Sequence, residues 1–179
     1  LEPGIRGGAA NRYLIKYGRK IGPDPASIDS AMIGGIAANN ASGMCCGTSE
    51  NSYKTIADLK LIFADGTFLD TADAASRASF EKSHKHILDK LEEISKRINA
   101  DATLKERIVR KYKIKNTTGY SLNAFVDYTE GFDILKHLII GSEGTLAFIS
   151  SVTYNTVVEH PNKSVALIIY PTIKEACQA

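Results

Sequence analysis

The chain has 179 residues, 44% hydrophobic and 23% charged, with a net charge of +2. That length supports one domain with a sizeable core, and the composition excludes a disordered chain. The charge is small and spread along the sequence, which excludes a massed nucleic-acid-binding face.

In chain order, Ala9, Ala10, Tyr13, Leu14 and Tyr17 fall at helical spacing and Gly18 supplies a stop, so a helix is predicted over 7–17. Residues 22–27, Gly-Pro-Asp-Pro-Ala-Ser, hold two prolines and predict a stiff extended loop. From Ile28 the residues are small and helix-compatible through Ala38, interrupted by Gly34 and Gly35. A short, closely packed helix beginning near Ile28 is expected.

Residues 55–63 alternate apolar and polar, and Asp65-Gly66 precedes Thr67-Phe68-Leu69, which predicts a hairpin. Phe80, His84, Ile87, Leu88, Leu91, Ile94 and Ile98 form one apolar stripe and predict an amphipathic helix over 79–98. A further helix is expected over Leu104–Lys111. The basic run from Lys105 to Lys115 reads first as a solvated helix face and second as an anion or membrane-surface contact.

Residues 115–120 read as irregular, 132–140 as a short helix ending before Gly141, and Leu146–Val158 as strand. Val165–Tyr170 has the look of a buried strand, and a helix is expected after Pro171. Helices and strands mix without regular alternation, so the expected class is α+β.

Cys45, Cys46 and Cys177 lack C-x-x-C spacing, which indicates neither a disulfide framework nor a zinc site. Cys45 and Cys46 are expected to be reduced and partly buried in a reducing compartment. No metal site is expected. No apolar run approaches the ~18 residues that cross a bilayer, and no signal peptide is seen. Both ends read as interior to a longer protein.

Two segments could carry chemistry. In the first, Ser27 and Ser30, a helix start near Ile28, and Gly34-Gly35 would together suit a pyrophosphate; helix caps followed by glycines are equally common as pure structure. Asn39 and Asn40, before Ala41-Ser42-Gly43, could hold a flat polar ring or could end a helix in a left-handed cap. In the second, Gly141-Ser-Glu-Gly144 turns the chain sharply before a strand and could present backbone groups to a ligand. Neither is a Rossmann fingerprint or a P-loop.

Taken in order, Gly-Pro-Asp-Pro-Ala-Ser, Met-Ile-Gly-Gly, Ala-Ala-Asn-Asn-Ala-Ser-Gly and then Gly-Ser-Glu-Gly-Thr-Leu-Ala-Phe-Ile resemble the FAD-binding domain of the flavin-linked 2-hydroxy-acid dehydrogenase family. That family includes D-lactate dehydrogenase, the glycolate oxidase FAD subunit and D-2-hydroxyglutarate dehydrogenase, and it shares the para-cresol methylhydroxylase and vanillyl-alcohol oxidase type of FAD fold. The resemblance implies a portion of that α+β domain, a mixed sheet flanked by helices. Residues 1–158 would be its second subdomain, without the N-terminal phosphate-loop subdomain, and 159–179 the start of a truncated substrate or cap domain.

By position, the resemblance places Pro25, Ala26, Ser27, Asp29 and Ser30 along the FAD pyrophosphate and ribose, with Gly34 and Gly35 packed beside them. Asn39, Asn40, Ala41, Ser42 and Gly43 would approach the flavin. Glu143, Gly144, Thr145, Leu146 and Ile149 would hold the far part of the cofactor. Ala147 stands where the family has Gly, and Tyr120 is a weaker candidate for the flavin edge. No catalytic residue is assigned.

The activity implied is oxidation of a D-2-hydroxy acid by hydride transfer to flavin, with a quinone or protein as electron acceptor. The stretches around Met44–Thr55 and Lys113–Phe125 look like the long D-lactate dehydrogenases, whose iron–sulfur region would lie outside this chain. The implied location is cytoplasmic, with a peripheral place at the inner face of the membrane as its membrane-associated form. The alternatives are another FAD oxidase or reductase of the same fold, or a truncated scaffold inactive by itself.

Overall fold

The chain's two clearest periodicities, of two and of about 3.6, become a hairpin and a long helix in the computed structural model, which describes residues 1–117 and 119–179. In chain order the elements are α1 (Gly7–Leu14), β1 (Arg19–Lys20), α2 (Ile33–Ala38), α3 (Ser52–Thr55), β2 (Ile56–Ile62), β3 (Phe68–Asp70) and α4 (Ala74–Ala100). There follow α5 (Ala102–Lys111), α6 (Ala124–Asp127), α7 (Gly131–Ile139), β4 (Phe148–Tyr154), β5 (Val157–Val158) and α8 (Ile173–Gln178). Thr118, within the predicted irregular stretch 115–120, lies outside the described residues.

The Asp-Gly turn behaves as its residues require. Gly66 takes φ +85, Phe63 and Thr67 close the turn, and Leu61 faces Leu69 across the ladder. β4 pairs with the other edge of β2, giving the order β3-β2-β4, while β1 pairs with β5 apart from it. The α+β class stands, but every strand pairing among the described residues is antiparallel, where a mixed sheet was expected.

Helices cover this sheet: α2 packs against β4, α7 against β2, and α4 against β3, α6 and α7. Leu59, Leu61, Leu69, Phe80, Ile134, Ile139 and Val152 lie at the centre with almost no exposed surface. The apolar stripe of α4 fulfils the 3.6-residue period through Phe80, Leu88, Leu91 and Ile98, and Asp73 caps its start with bonds to Ala75 and Ser76. The helix kinks at His84, where φ is −125 and ψ 21. Ser83 Oγ bonds back to the Ser79 carbonyl, and His84 stacks on Phe80 while its Nε2 meets Asp65 Oδ2 at 2.9 Å, so a local bond and a tertiary pull coincide there.

Three expectations need correction. The helix expected near Ile28 begins at Ile33, because Gly7 and Gly8 of α1 donate to the carbonyls of Ala31 and Ile28 and hold that stretch as turns. Val165–Tyr170 forms no strand: Val165, Leu167, Ile168 and Ile169 are 95%, 88%, 67% and 84% exposed. Cys45 is exposed, whereas Cys46 is buried. The basic face of α5 is solvated as its composition suggested, with Ile108 alone buried.

One buried histidine sets a pH dependence. His137, 5% exposed, stacks on Tyr128 at 3.9 Å and meets the edge of Tyr53 at 5.0 Å. Its Nδ1 lies 2.7 Å from the Asp133 carbonyl, so that nitrogen carries the hydrogen and donates. Burial pulls its pKa below the ordinary value, and the Lys136 cation acts the same way against the partial relief from the Asp133 carbonyl, Asp133 and Asp127. As pH falls below about 6.5 the unfolded chain takes up this proton before the folded one, so stability drops. Urea midpoints should therefore fall between pH 7 and pH 5, and His137→Gln should remove part of that fall while lowering stability throughout. Parallel pH profiles for the two proteins would contradict this account.

Candidate functional site

The two segments singled out in the sequence meet at the C-terminal end of α2. Six residues make a helix too short to satisfy its own termini. At its start, the N–H groups of Ile33 and Gly34 donate to the carbonyls of Ile5 and Pro3 at 2.8 and 2.9 Å. A Cβ on Gly34 would sit 2.8 Å from Pro3 Cβ, so this glycine admits the chain's own backbone. The N–H groups of Ile33 and Gly34 at the helix start are thus taken from within the protein.

At its end, Ala41 N–H reaches the Ile36 carbonyl and Asn40 N–H the Ala37 carbonyl, with Asn40 at φ +50. This is a left-handed helix cap, which Asn tolerates better than most residues. Asn40 is buried, and its Oδ1 accepts from Tyr53 N–H at 3.1 Å, fixing the start of the Tyr53 turn. Of the two sequence readings of Asn40, the structure supports the cap. The neighbouring Asn39 is turned to a different partner: its Nδ2 donates to Glu143 Oε1 at 2.5 Å.

The loop after α7 completes the junction. Gly141 and Glu143 donate N–H bonds to the carbonyls of Ala37 and Ala38 at 3.3 and 3.0 Å. Glu143, at φ +54, and Gly144, at φ +73, turn the chain back toward β4. Thr145 Oγ1 donates to the Ser142 carbonyl at 2.6 Å and lies 2.9 Å from Tyr120 Oη. Tyr120 is in turn held by its carbonyl, which accepts from Tyr112 Oη at 2.7 Å.

Between these segments lies a cleft of about 540 Å³, with Met32, Gly34, Gly35 and Ala38 on one side and Glu143, Gly144, Ala147, Phe148 and Ile149 on the other. A Cβ on Gly35 would meet nothing within 4 Å, so this glycine opens onto the cleft. Met32 and Phe148 are more than half exposed at its rim. Its walls are apolar, and among the described residues Glu143 is its one charged lining residue.

The remaining candidates are elsewhere or serve the fold. Pro25 is buried, while Ala26, Ser27, Asp29 and Ser30 are exposed on a turn against α1, where Asp29 pairs with Arg12 at 3.4 Å and Ser30 Oγ donates to the Ser27 carbonyl. They do not share the cleft with Glu143 and Gly144. Ala41 is partly buried against the core and Leu146 likewise. Gly43 permits the closest approach of all, since a Cβ there would lie 1.9 Å from the Asp24 carbonyl oxygen.

Asp24 is the organiser that sequence reading missed. Its carboxylate accepts from the N–H groups of Gly43, Cys45 and Cys46 at 2.9, 3.2 and 3.1 Å, binding the proline loop to the segment after Asn40. Burial alone would raise its pKa, but the Cys46 thiol, the Cys46 and Gly43 N–H groups and Lys20 outweigh it and the pKa is lowered. The available signal was an acid between two prolines, in a loop whose own backbone has few donors to offer it.

Two polar atoms in the paired segments are orphans. Ser42 Oγ and Ser142 Oγ are buried without a hydrogen-bond partner, one in each segment. Buried hydroxyls left unmatched are uncommon, and neither of these lines the cleft. The open face at Gly35 and the apolar walls suit a flat ring system. No cation lines the cleft, so the fit is to a ring of a dinucleotide and does not extend to its diphosphate. Among the described residues no cluster of three metal-ligating side chains occurs, and no helix is long and apolar enough to cross a membrane.

Residues 1–72 match the FAD binding domain family, which supports FAD as the cofactor. The chain is similar to a D-2-hydroxyglutarate dehydrogenase from Pantoea ananatis (strain AJ13355), at 28% identity over 158 residues that cover 84% of this chain and 15% of that protein. It is also similar to a mitochondrial D-lactate dehydrogenase [cytochrome] from Arabidopsis thaliana, at 27% identity over 176 residues covering 98% of this chain and 22% of the relative. The chain therefore spans less than a quarter of either relative's length. The sequence resemblance to FAD-linked 2-hydroxy-acid dehydrogenases stands.

Asp24→Ala leaves three N–H groups without their shared acceptor and should lower stability by about 2–4 kcal/mol in urea unfolding. Gly43→Ala should destabilise by about 2 kcal/mol or more through the clash with the Asp24 backbone. A Gly43→Ala protein as stable as the parent would show that this close approach does not hold the loop.

Proposed function

We propose that this chain is the FAD-holding part of a dehydrogenase that oxidises a D-2-hydroxy acid, with D-lactate as the substrate. The observation that carries the reading is the apolar cleft between α2 and the 141–149 segment, where two sequence-distant glycine segments are joined by Asn39 and Glu143. The matched FAD-binding domain and the names of the two relatives support the same chemistry.

Bound FAD supplies a hydride acceptor for the substrate carbon bearing the hydroxyl. This chain's residues would position it. Met32, Phe148 and Ile149 offer apolar surface to a ring, Gly35 leaves room for it, and the Asn39–Glu143 bond keeps the two walls at a fixed separation. The exposed turn bearing Ser27 and Ser30 would serve the pyrophosphate only with further residues beside it, since Asp29 already engages Arg12.

Within this reading, residues 1–158 form the FAD-binding part and 159–179 lead into a substrate-binding domain. Electrons leave to a quinone or protein acceptor, and the enzyme works in the cytoplasm or against the inner face of the membrane. Because the cleft lacks a cation for the diphosphate, we expect this chain by itself to bind FAD weakly, and riboflavin within a few-fold of FAD.

Titration of the chain with each, followed by flavin fluorescence, measures this. Gly35→Leu should abolish what binding there is, by filling the cleft, at unchanged stability. Binding untouched by Gly35→Leu would place the ring elsewhere. A full-length enzyme purified without flavin absorbance near 450 nm, the ordinary flavin band of a cofactor enzyme of this type, would sink the reading as a whole.

A further inference from the structure

We propose that Tyr112, at the end of α5 and not among the residues that line the cleft, is a positioning residue for the cofactor: its hydroxyl holds the turn 120–122, and that turn fixes the loop 140–145 that leads into one wall. The inference rests on the reading that the cleft takes the flavin ring, and it adds to that reading a residue that acts through others.

The wall needs such support. Glu143 is a non-glycine residue at φ +54, followed by Gly144 at φ +73. A left-handed non-glycine residue costs free energy and persists only where its surroundings over-determine it. Glu143, Gly144 and Ala147 line the cleft, so the path of this loop decides the shape of the wall.

The turn 120–122 supplies that support on both sides of the left-handed residues. Ahead of them, Ser121 Oγ donates to the Ile140 carbonyl at 2.7 Å, in the buried interior. Gly141, at φ +89, packs on the same hydroxyl, since a Cβ there would lie 3.2 Å from Ser121 Oγ. Beyond them, Tyr120 Oη lies 2.9 Å from Thr145 Oγ1. Thr145 spends its single hydrogen on the Ser142 carbonyl at 2.6 Å, so Tyr120 is the donor in that pair.

The turn is itself held from α5. Tyr112 N–H continues the helix to the Ile108 carbonyl at 3.1 Å, and its side chain packs against the core. Its hydroxyl donates to the Tyr120 carbonyl at 2.7 Å and accepts from Leu122 N–H at 3.0 Å. Leu122 N–H also reaches the Tyr120 carbonyl at 2.8 Å, so the hydroxyl sits in the mouth of a three-residue turn and bonds both of its ends. Burial raises the pKa of this phenol against the lowering effect of the Leu122 N–H, which keeps in place the hydrogen that the Tyr120 carbonyl takes. Phenylalanine here would keep the ring and lose both bonds.

The test uses the flavin-loaded full-length enzyme, with FAD release followed by flavin fluorescence. Tyr112→Phe and Tyr120→Phe should each raise the FAD dissociation constant about threefold to tenfold, the range that one such bond carries. The double variant should bind no more weakly than the weaker single one, because both hydroxyls act in one chain of contacts. The visible circular dichroism of the bound flavin should change in all three. A Tyr112→Phe enzyme with a lowered melting temperature but the parent's FAD affinity and visible dichroism has lost only a fold contact, and overturns the proposal. Losses that add in the double variant overturn it too. Tyr120 is 43% exposed, so its variant tests the last link independently of how Tyr112→Phe folds, and an unchanged affinity there also overturns it. A parent that holds flavin and loses it on Gly35→Leu, yet is indifferent to both tyrosine variants, sinks this inference and leaves the cleft reading standing; a parent without flavin sinks both.

Discussion

A short helix cannot satisfy its own last carbonyls, and that shortage assembles the site. The carbonyl of Ala38, at the end of α2, is taken by Glu143 N–H, and that of Ala37, already bonded by Asn40 N–H, accepts a second bond from Gly141, about a hundred residues later in the chain. The bonds are ordinary in length. What makes them selective is the left-handed turn at Asn40, which ends the helix on the spot and leaves those carbonyls facing the incoming loop. The Asn39–Glu143 bond then follows, because Glu143 has already been brought to the helix end.

The elements legible in the sequence were those whose signals are local. Asp65-Gly66 dictates a turn whatever surrounds it, and the stripe from Phe80 to Ile98 dictates a helix that needs only one apolar neighbour. Ile28 to Ala31 misled because small residues are permissive: they would accept a helix, but α1 took their carbonyls first. The four-residue helices α3 and α6 left no periodic trace, being fixed by tertiary bonds such as Tyr53 N–H to Asn40 and Ser95 Oγ to the Phe125 carbonyl. Val165–Tyr170 has strand composition, and composition alone cannot provide the partner that a strand needs.

The candidate site divides along the same line. Gly35, Glu143, Gly144 and Ile149 come together at one cleft, and Asn39 joins its walls. Ser27, Asp29 and Ser30 stand on a turn elsewhere, and Asn40 and Gly43 are occupied in shaping the backbone. Residue type told that these positions were special. It could not tell a glycine kept open for a ligand from one kept open for a neighbouring carbonyl, since both demand the absence of a side chain. Asp24 escaped notice for the opposite reason: its three donors come from residues 43, 45 and 46, and no pattern within the proline loop announces them.

The pairing of early and late residues has a consequence for biosynthesis. Arg19 and Lys20 find their strand partners only at Val158 and Val157, and Asn155 N–H closes on the Thr55 carbonyl. On the ribosome, Arg19, Lys20 and the Ala38 carbonyl therefore wait for these partners until some hundred further residues have emerged.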